Sequence, residues 1–159
     1  MGVHVVEYNI EKVIDFLNKE ESLAKINPML LEIKVLYQKN NEKGEDIFRV
    51  NYQQYKGIWP VANRDFVSVA VKFRESADKK YIGTKACNYP HPEVKGVVRG
   101  EIYIGGYIIS KVDETHTKIV YISDADLKGM IPGMVKNTLS EKQGDIASKV
   151  GYIMKKEGL

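Results

Sequence analysis

Three histidines, one cysteine and two aspartates spaced two apart are the side chains with which this 159-residue chain could do metal, nucleophilic or acid–base chemistry. His4, His91 and His116 lie far apart and form no HxxxH or HExxH spacing, and metal sites draw their ligands from close, fixed spacings. No metal is expected. Asp124 and Asp126 share one face of a strand end, where one could act as acid and the other as base. The commoner role so close to a helix start is for one to accept from backbone N–H groups while the other is solvated. Ser123 has no GxSxG setting, so nothing marks it as a nucleophile. The run "IGGY" at 104–107 lies inside a strand-like segment and reads as a bulge or bend, not as a phosphate loop. Cys87, the sole cysteine, allows no intramolecular disulfide and suits a reducing compartment; a small apolar filler is its expected role. The residues predict no catalytic group and no cofactor.

The elements that position these residues follow from patterning. With 43% hydrophobic and 28% charged residues and a net charge of +3, the chain reads as one globular domain over 1–159. Its Lys/Arg residues occur at most in pairs, too scattered for nucleic acid. No apolar run approaches the ~20 residues of a membrane span. "VHVVEY" at 3–8 predicts a strand, and Asn9 caps a helix whose Ile10, Val13, Ile14 and Leu17 recur at helical spacing. A short helical turn at 22–26 ends at Asn27-Pro28. "LLEIKVLYQ" then alternates, with Leu31, Ile33, Val35 and Tyr37 on one face. "IFRVNYQQY", "RDFVSVAVKF" and stretches near 81–88, 97–112 and 117–125 complete about seven strands, most of them consecutive and antiparallel.

A last helix over 132–156 carries Val135, Leu139, Ile146, Val150 and Ile153 on one stripe. Its approach is unusual for a helix: Gly129, Pro132 and Gly133 surround Met130 and Met134, and Gly144 lies further in. Pro suits a first helical turn, and methionine repacks readily on different shapes. A twisted sheet and one long helix cannot touch everywhere, so the pattern predicts an apolar cavity between them.

"RDFV" at 64–67, "HPEVKGVVRGEI" at 91–102 and "DLKGMIPGMVKN" at 126–137 resemble, in order and spacing, the START domains, the steroidogenic-acute-regulatory-related lipid-transfer family. The resemblance runs from about Asn9 to the C-terminus. It implies an α+β helix-grip fold, a curved antiparallel sheet of about seven strands around a long C-terminal helix, holding one lipid. Family members carry a further N-terminal helix and two strands, so the chain reads as an N-terminally shortened version whose first strand is an exposed edge that a dimer could cover. Phosphatidylcholine-binding members set an arginine and an acid around "R-K-x-W-D"; here the segment reads "LAKIN". Sterol-binding members hold a buried acid–arginine pair, and the best-matching positions here are Asn51 and Ala70. Neither signature carries over.

The resemblance assigns lipid contact to Asn51, Ser68, Ala70 and Ile102 of the sheet, to Leu127, Met130 and Met134 at the helix approach, and to Ile146, Val150 and Met154 of the helix. It points Phe66, Ser68 and Ala70 inward, whereas plain alternation would turn Val67, Val69, Val71 and Phe73 inward; a slip of one residue reverses every side chain. Arg64 and Arg99 are expected to form ion pairs, Arg64 with a nearby acid and Arg99 with Glu101 or an adjacent strand; headgroup contact is the alternative. Trp59, beside Pro60 in "KGIWPVAN", suits either a loop core or a membrane interface. The expected function is binding of one lipid, phospholipid ahead of sterol, and its transfer between membranes by a cytoplasmic protein peripheral to them. The expected partners are the lipid and, transiently, a membrane surface. The alternatives are an enzyme of the same grip fold acting on a hydrophobic substrate, or a lipid-sensing module of a larger protein.

Overall fold

The computed structural model describes residues 1–159, apart from the side chain of Asp46. Its elements run β1 (Gly2–Val6), α1 (Ile10–Leu17), α2 (Glu20–Ile26), β2 (Leu30–Asn40), β3 (Asp46–Tyr55), β4 (Arg64–Ser76), β5 (Lys79–Ala86), β6 (Val98–Arg99), β7 (Glu101–Lys111), β8 (Thr117–Asp126), α3 (Gly133–Gly144) and α4 (Ile146–Lys156). Seven strands follow the order β1-β8-β7-β5-β4-β3-β2, and the two-residue β6 adds a parallel pairing to β4. All other neighbours are antiparallel. This is the α+β helix-grip architecture, with β1 as one edge of the sheet.

The main core lies at the β1 end. Asn9 caps α1 by accepting from the Lys12 N–H at 3.0 Å, and the face so aligned buries Val13, Ile14 and Leu17. These pack with Val6, Ile109, Ile119, Val150 and Met154 into one cluster. Burying each such side chain contributes about 1.5–3 kcal/mol. The opposite, convex face of the sheet has a smaller cluster, Val50, Tyr52 and Val67, against which Cys87 packs. Cys87 is therefore half-buried filler there, and burial pushes its thiol up.

Three elements differ from the pattern-based expectation, each for a local reason. The predicted strand 97–112 breaks at Gly100, where a Cβ would meet the Phe66 ring at 2.4 Å. Register shifts at Leu30/Glu32 and Val35/Tyr37 break the single face expected in β2. Ile33 pairs with Gln53 on the concave side, while Tyr37 pairs with Val50 and meets the Phe48 ring edge-on at 6.2 Å. The expected helix 132–156 is two segments that meet at Asp145. Gly144 lies where the chain crowds β1: a Cβ on Gly2 would come within 2.2 Å of the Gly144 carbonyl oxygen.

Candidate functional site: a cavity between sheet and helices

Strands β3 and β4 set the parity of the cavity floor. Asn51 pairs with Ser68 and Arg49 with Ala70, so these residues share the concave face with Phe66, Arg64 and Lys72. Val67 faces the convex cluster instead, and Val71 and Phe73 are exposed. The family parity therefore describes the structure and plain alternation does not. Between this face and the helices lies a cavity of about 650 Å³. Asn51, Arg49, Ala70, Lys72, Ile82, Thr84 and Ile102 line its sheet side. Asn18, Leu23 and Ile26 close it from α1 and α2, and Leu127, Ile131, Leu139 and Ile146 close it from the C-terminal side.

The remaining candidate residues sit elsewhere. Ser68 is fully buried beside Asn51 and does not reach the cavity surface. Val150 and Met154, expected at the wall, are fully buried in the main core with α1 and β1. Their helical stripe faces packed side chains because α4 lies over β1, not over the cavity. Met130 and Met134, also expected at the wall, point outward, 97% and 82% exposed. Met130 borders an outer groove with Pro60, Val61 and Pro132. Trp59 is 90% exposed on the same side, preceding a cis peptide to Pro60, so it fills no loop core.

The two arginines have different fates. Arg99 forms the expected ion pair, with Asp65 as its partner: Nε and Nη2 donate to the two carboxylate oxygens at 2.7 and 3.1 Å. That pair lies on the convex side, away from the cavity, and the hydrogen bonds that Arg99 donates to Asp65 hold its guanidinium above its ordinary value. Arg64 has no carboxylate partner among the described residues, contrary to expectation. It is buried and donates to the carbonyls of Leu127 and Lys128 at 3.0 Å each, and to that of Ala62. Arg64 thus ties the 56–63 loop to the approach of α3, and the desolvation lowers its pKa. Its acceptors are backbone groups distant in sequence, which no motif announces.

The possible acid–base pair at Asp124 and Asp126 is likewise resolved by geometry. Asp126 Oδ1 accepts from the Lys128 N–H at 2.8 Å, and that bond, with the Lys128 ammonium, holds its carboxyl below the usual range. His116 belongs to a turn with Asp113, and His91 stacks on Tyr52 at 4.1 Å. Among the described residues no three His, Cys, Asp or Glu side chains converge as metal ligands.

Four tyrosines pack around the sheet with raised phenol pKa values. Burial followed by the Asp65 charge pushes Tyr52 up to about 12, and burial raises Tyr55, Tyr107 and Tyr121. A folded-state pKa above the unfolded value of about 10 favours the neutral phenol, so this stability is complete below pH ~10 and is lost as pH rises through the folded values. Urea midpoints should hold up to that pH and then fall steeply, in step with tyrosinate absorbance. Tyrosinate appearing at its ordinary pH without loss of stability would contradict the burial argument.

The sheet, the helices that grip it and the cavity between them define a protein of the helix-grip class. The START domain family model matches residues 3–149, and the chain belongs to that family. It is 29% identical over 149 residues to the human steroidogenic acute regulatory protein, mitochondrial, a match covering 91% of this chain and 51% of that protein. The Xenopus laevis steroidogenic acute regulatory protein is 28% identical over 148 residues, covering 90% of this chain and 50% of the relative. The chain thus spans about half the length of the curated relatives it matches. Among solved structures, human StAR-related lipid transfer protein 5 superposes with a TM-score of 0.83 at 17% identity, covering 99% of this chain and 75% of that one. A STAR-related lipid transfer protein from Xanthomonas axonopodis gives 0.68 at 18% identity, with coverages of 93% and 82%. Lipid binding and transfer is the general activity of this family, and no described helix is long and apolar enough to cross a membrane.

Proposed function

We propose that this chain takes one lipid from a membrane, holds it in the cavity between sheet and helices, and releases it at another membrane. The cavity of about 650 Å³ between sheet and helices in a START-domain chain is the observation that carries this reading. Extraction would exchange bilayer contacts for cavity contacts at about 25 cal/mol per Å² of apolar surface.

Membrane contact is assigned to the side bearing Trp59, Met130 and Met134, which is apolar, exposed and bordered by Lys136. Indole suits the interfacial zone and lysine an anionic surface. Trp59→Ala should weaken binding to vesicles containing anionic lipid about tenfold while leaving the circular dichroism spectrum unchanged; equal vesicle binding would remove Trp59 from the contact. A dimer through β1 draws support from its edge position and from the outward-facing Val3 and Val5. Sedimentation at increasing concentration tests it, and a monomer throughout would exclude it.

Release requires the α3 side to yield. No neighbour lies within 4 Å of a Cβ built at Gly133 or Gly144, so alanine fits at both positions. Alanine stiffens a helix by up to about 1 kcal/mol per site. The double variant Gly133→Ala/Gly144→Ala should slow lipid exchange between vesicles several-fold without loss of thermal stability, and an unchanged rate would exclude a hinge there. The function itself is tested by native mass spectrometry of the purified protein, followed by a vesicle-to-vesicle transfer assay. One lipid per chain and accelerated transfer are expected; an empty protein that takes nothing from vesicles would overturn the proposal.

A further inference from the structure

Polar side-chain groups turned toward the inside of a folded protein nearly always have a partner, and those that lack one call for a reason. Tyr55 of β3, Tyr107 of β7, Tyr121 of β8 and Gln143 of α3 all line the cavity. Tyr107 and Tyr121 are cross-strand neighbours with ring centroids 5.1 Å apart. Tyr121 Oη donates to Gln143 Oε1 at 2.8 Å, which joins α3 to the sheet. Tyr55 enters from β3, with β4 and β5 between it and β7, and its ring meets Phe66 edge-on at 5.7 Å. Among the described residues the hydroxyls of Tyr55 and Tyr107 have no hydrogen-bond partner, and the N–H₂ group of Gln143 has none either.

These groups share one region of the cavity. Burial, and then the Tyr121 phenol, raise the pKa of Tyr55; burial, and then the Tyr121 and Tyr55 phenols, raise that of Tyr107. Phenols that act on one another's ionisation lie near one another. Both are therefore protonated at neutral pH, and Gln143 is an amide, so the cluster itself is uncharged and offers donors. A hydrocarbon chain lying over it would strip water from the two hydroxyls and the amide and return nothing. An oxygen at the same place accepts from them and restores the lost bonds.

We propose that the Tyr55–Tyr107–Gln143 cluster binds the hydroxyl or carbonyl oxygen of a neutral lipid, while the rest of the ligand lies against apolar wall such as Ile82, Phe66 and Leu139. This rests on the carrier reading above and adds the polar group by which the cargo is recognised. The lipid oxygen accepts from the phenols and from the Gln143 N–H₂ group, and a hydroxyl can in addition donate to a phenol oxygen. Gln143 stands on α3, so the same oxygen ties the bound lipid to the wall that yields on release. A hydrocarbon of equal size makes no such link.

The test equilibrates the intact protein with phosphatidylcholine vesicles that contain equal amounts of oleyl alcohol and of the hydrocarbon lacking only its hydroxyl. The two bound probes are then quantified by mass spectrometry. The bound ratio of alcohol to hydrocarbon should fall about tenfold in Tyr107→Phe and in Tyr55→Phe, the weight of one hydrogen bond made in a desolvated site. Each substitution removes a single oxygen that has no partner in the empty cavity, so the unliganded variants should melt no lower than the parent. Either variant stands in for the other if one fails to fold. Tyr152→Phe, on the outer face of α4 with its residue 67% exposed, should leave the ratio unchanged. A ratio that keeps its parent value in both cavity variants, or that Tyr152→Phe shifts equally, would overturn the assignment while leaving the carrier reading in place. Uptake of neither probe, with no lipid recovered from the purified protein, would overturn both.

Discussion

Gly106→Ala is expected to destabilise the protein by about 3–5 kcal/mol, combining a strained backbone with a steric clash. Gly106 sits in β7 with φ +130, a region essentially closed to residues with a side chain. A Cβ there would lie 1.8 Å from the Ile82 carbonyl oxygen and 2.8 Å from its carbon. Both obstacles are backbone of the neighbouring strand, so no rotamer change relieves them. Relief would require β5 and β7 to part at Gly83/Gly106, in the middle of the sheet. Gly105→Ala is the internal control: its Cβ would find nothing closer than 3.6 Å, and a cost below about 1 kcal/mol is expected for a half-buried strand position with room for the added group. Urea denaturation of the two variants decides the matter. Similar midpoints would show that the sheet yields without cost at this position.

Asp65→Ala is expected to cost about 3–5 kcal/mol, the penalty for stranding one member of a buried ion pair. The Asp65 side chain is 2% exposed and its Arg99 partner 29% exposed. Arg99 Nη2 also donates to the Pro92 carbonyl at 3.3 Å, so the pair fastens the 88–97 loop onto the convex face where His91 stacks on Tyr52. The double variant Asp65→Ala/Arg99→Met should recover part of the loss, because it removes the orphaned charge. If the single substitution costs under about 1 kcal/mol by chemical denaturation, solvent reaches the pair more freely than its burial implies.

The helix-grip fold was legible in the sequence because its signals agree with one another: alternating runs divided by turn residues, a capped first helix and three ordered motifs. The face of β4 was not legible from alternation, because Val67, Val69, Val71 and Phe73 look like a core stripe. Val67 is indeed buried, but under the 87–97 loop on the convex side, and hydrophobicity does not say which of two covers lies over a residue. The helix posed the same difficulty. A stripe through Ile146, Val150 and Met154 reads identically whether it faces a void or a packed core, and α4 meets β1 at Val150 and Met154. Met130 and Met134 drew attention as flexible apolar surface, a property equally suited to a cavity wall and to the outside of its rim. Arg49, Lys72 and Asn18 were overlooked at the sequence level. Arg49 and Lys72 could have been found by extending the "RDFV" parity along β4 and across to β3, where two cations fall on the face meant for apolar contact.

The two halves of the C-terminal helix differ in what holds them. α4 buries Ile146, Ala147, Val150 and Met154, whereas α3 buries Val135 alone. Local opening free energies follow buried apolar contact and can lie far below that of global unfolding. The less buried α3 is therefore expected to open more readily than α4, which it meets at Asp145. On the carrier reading proposed above, cargo would come and go at the cost of freeing α3, while α4 and the core beneath it stayed in register.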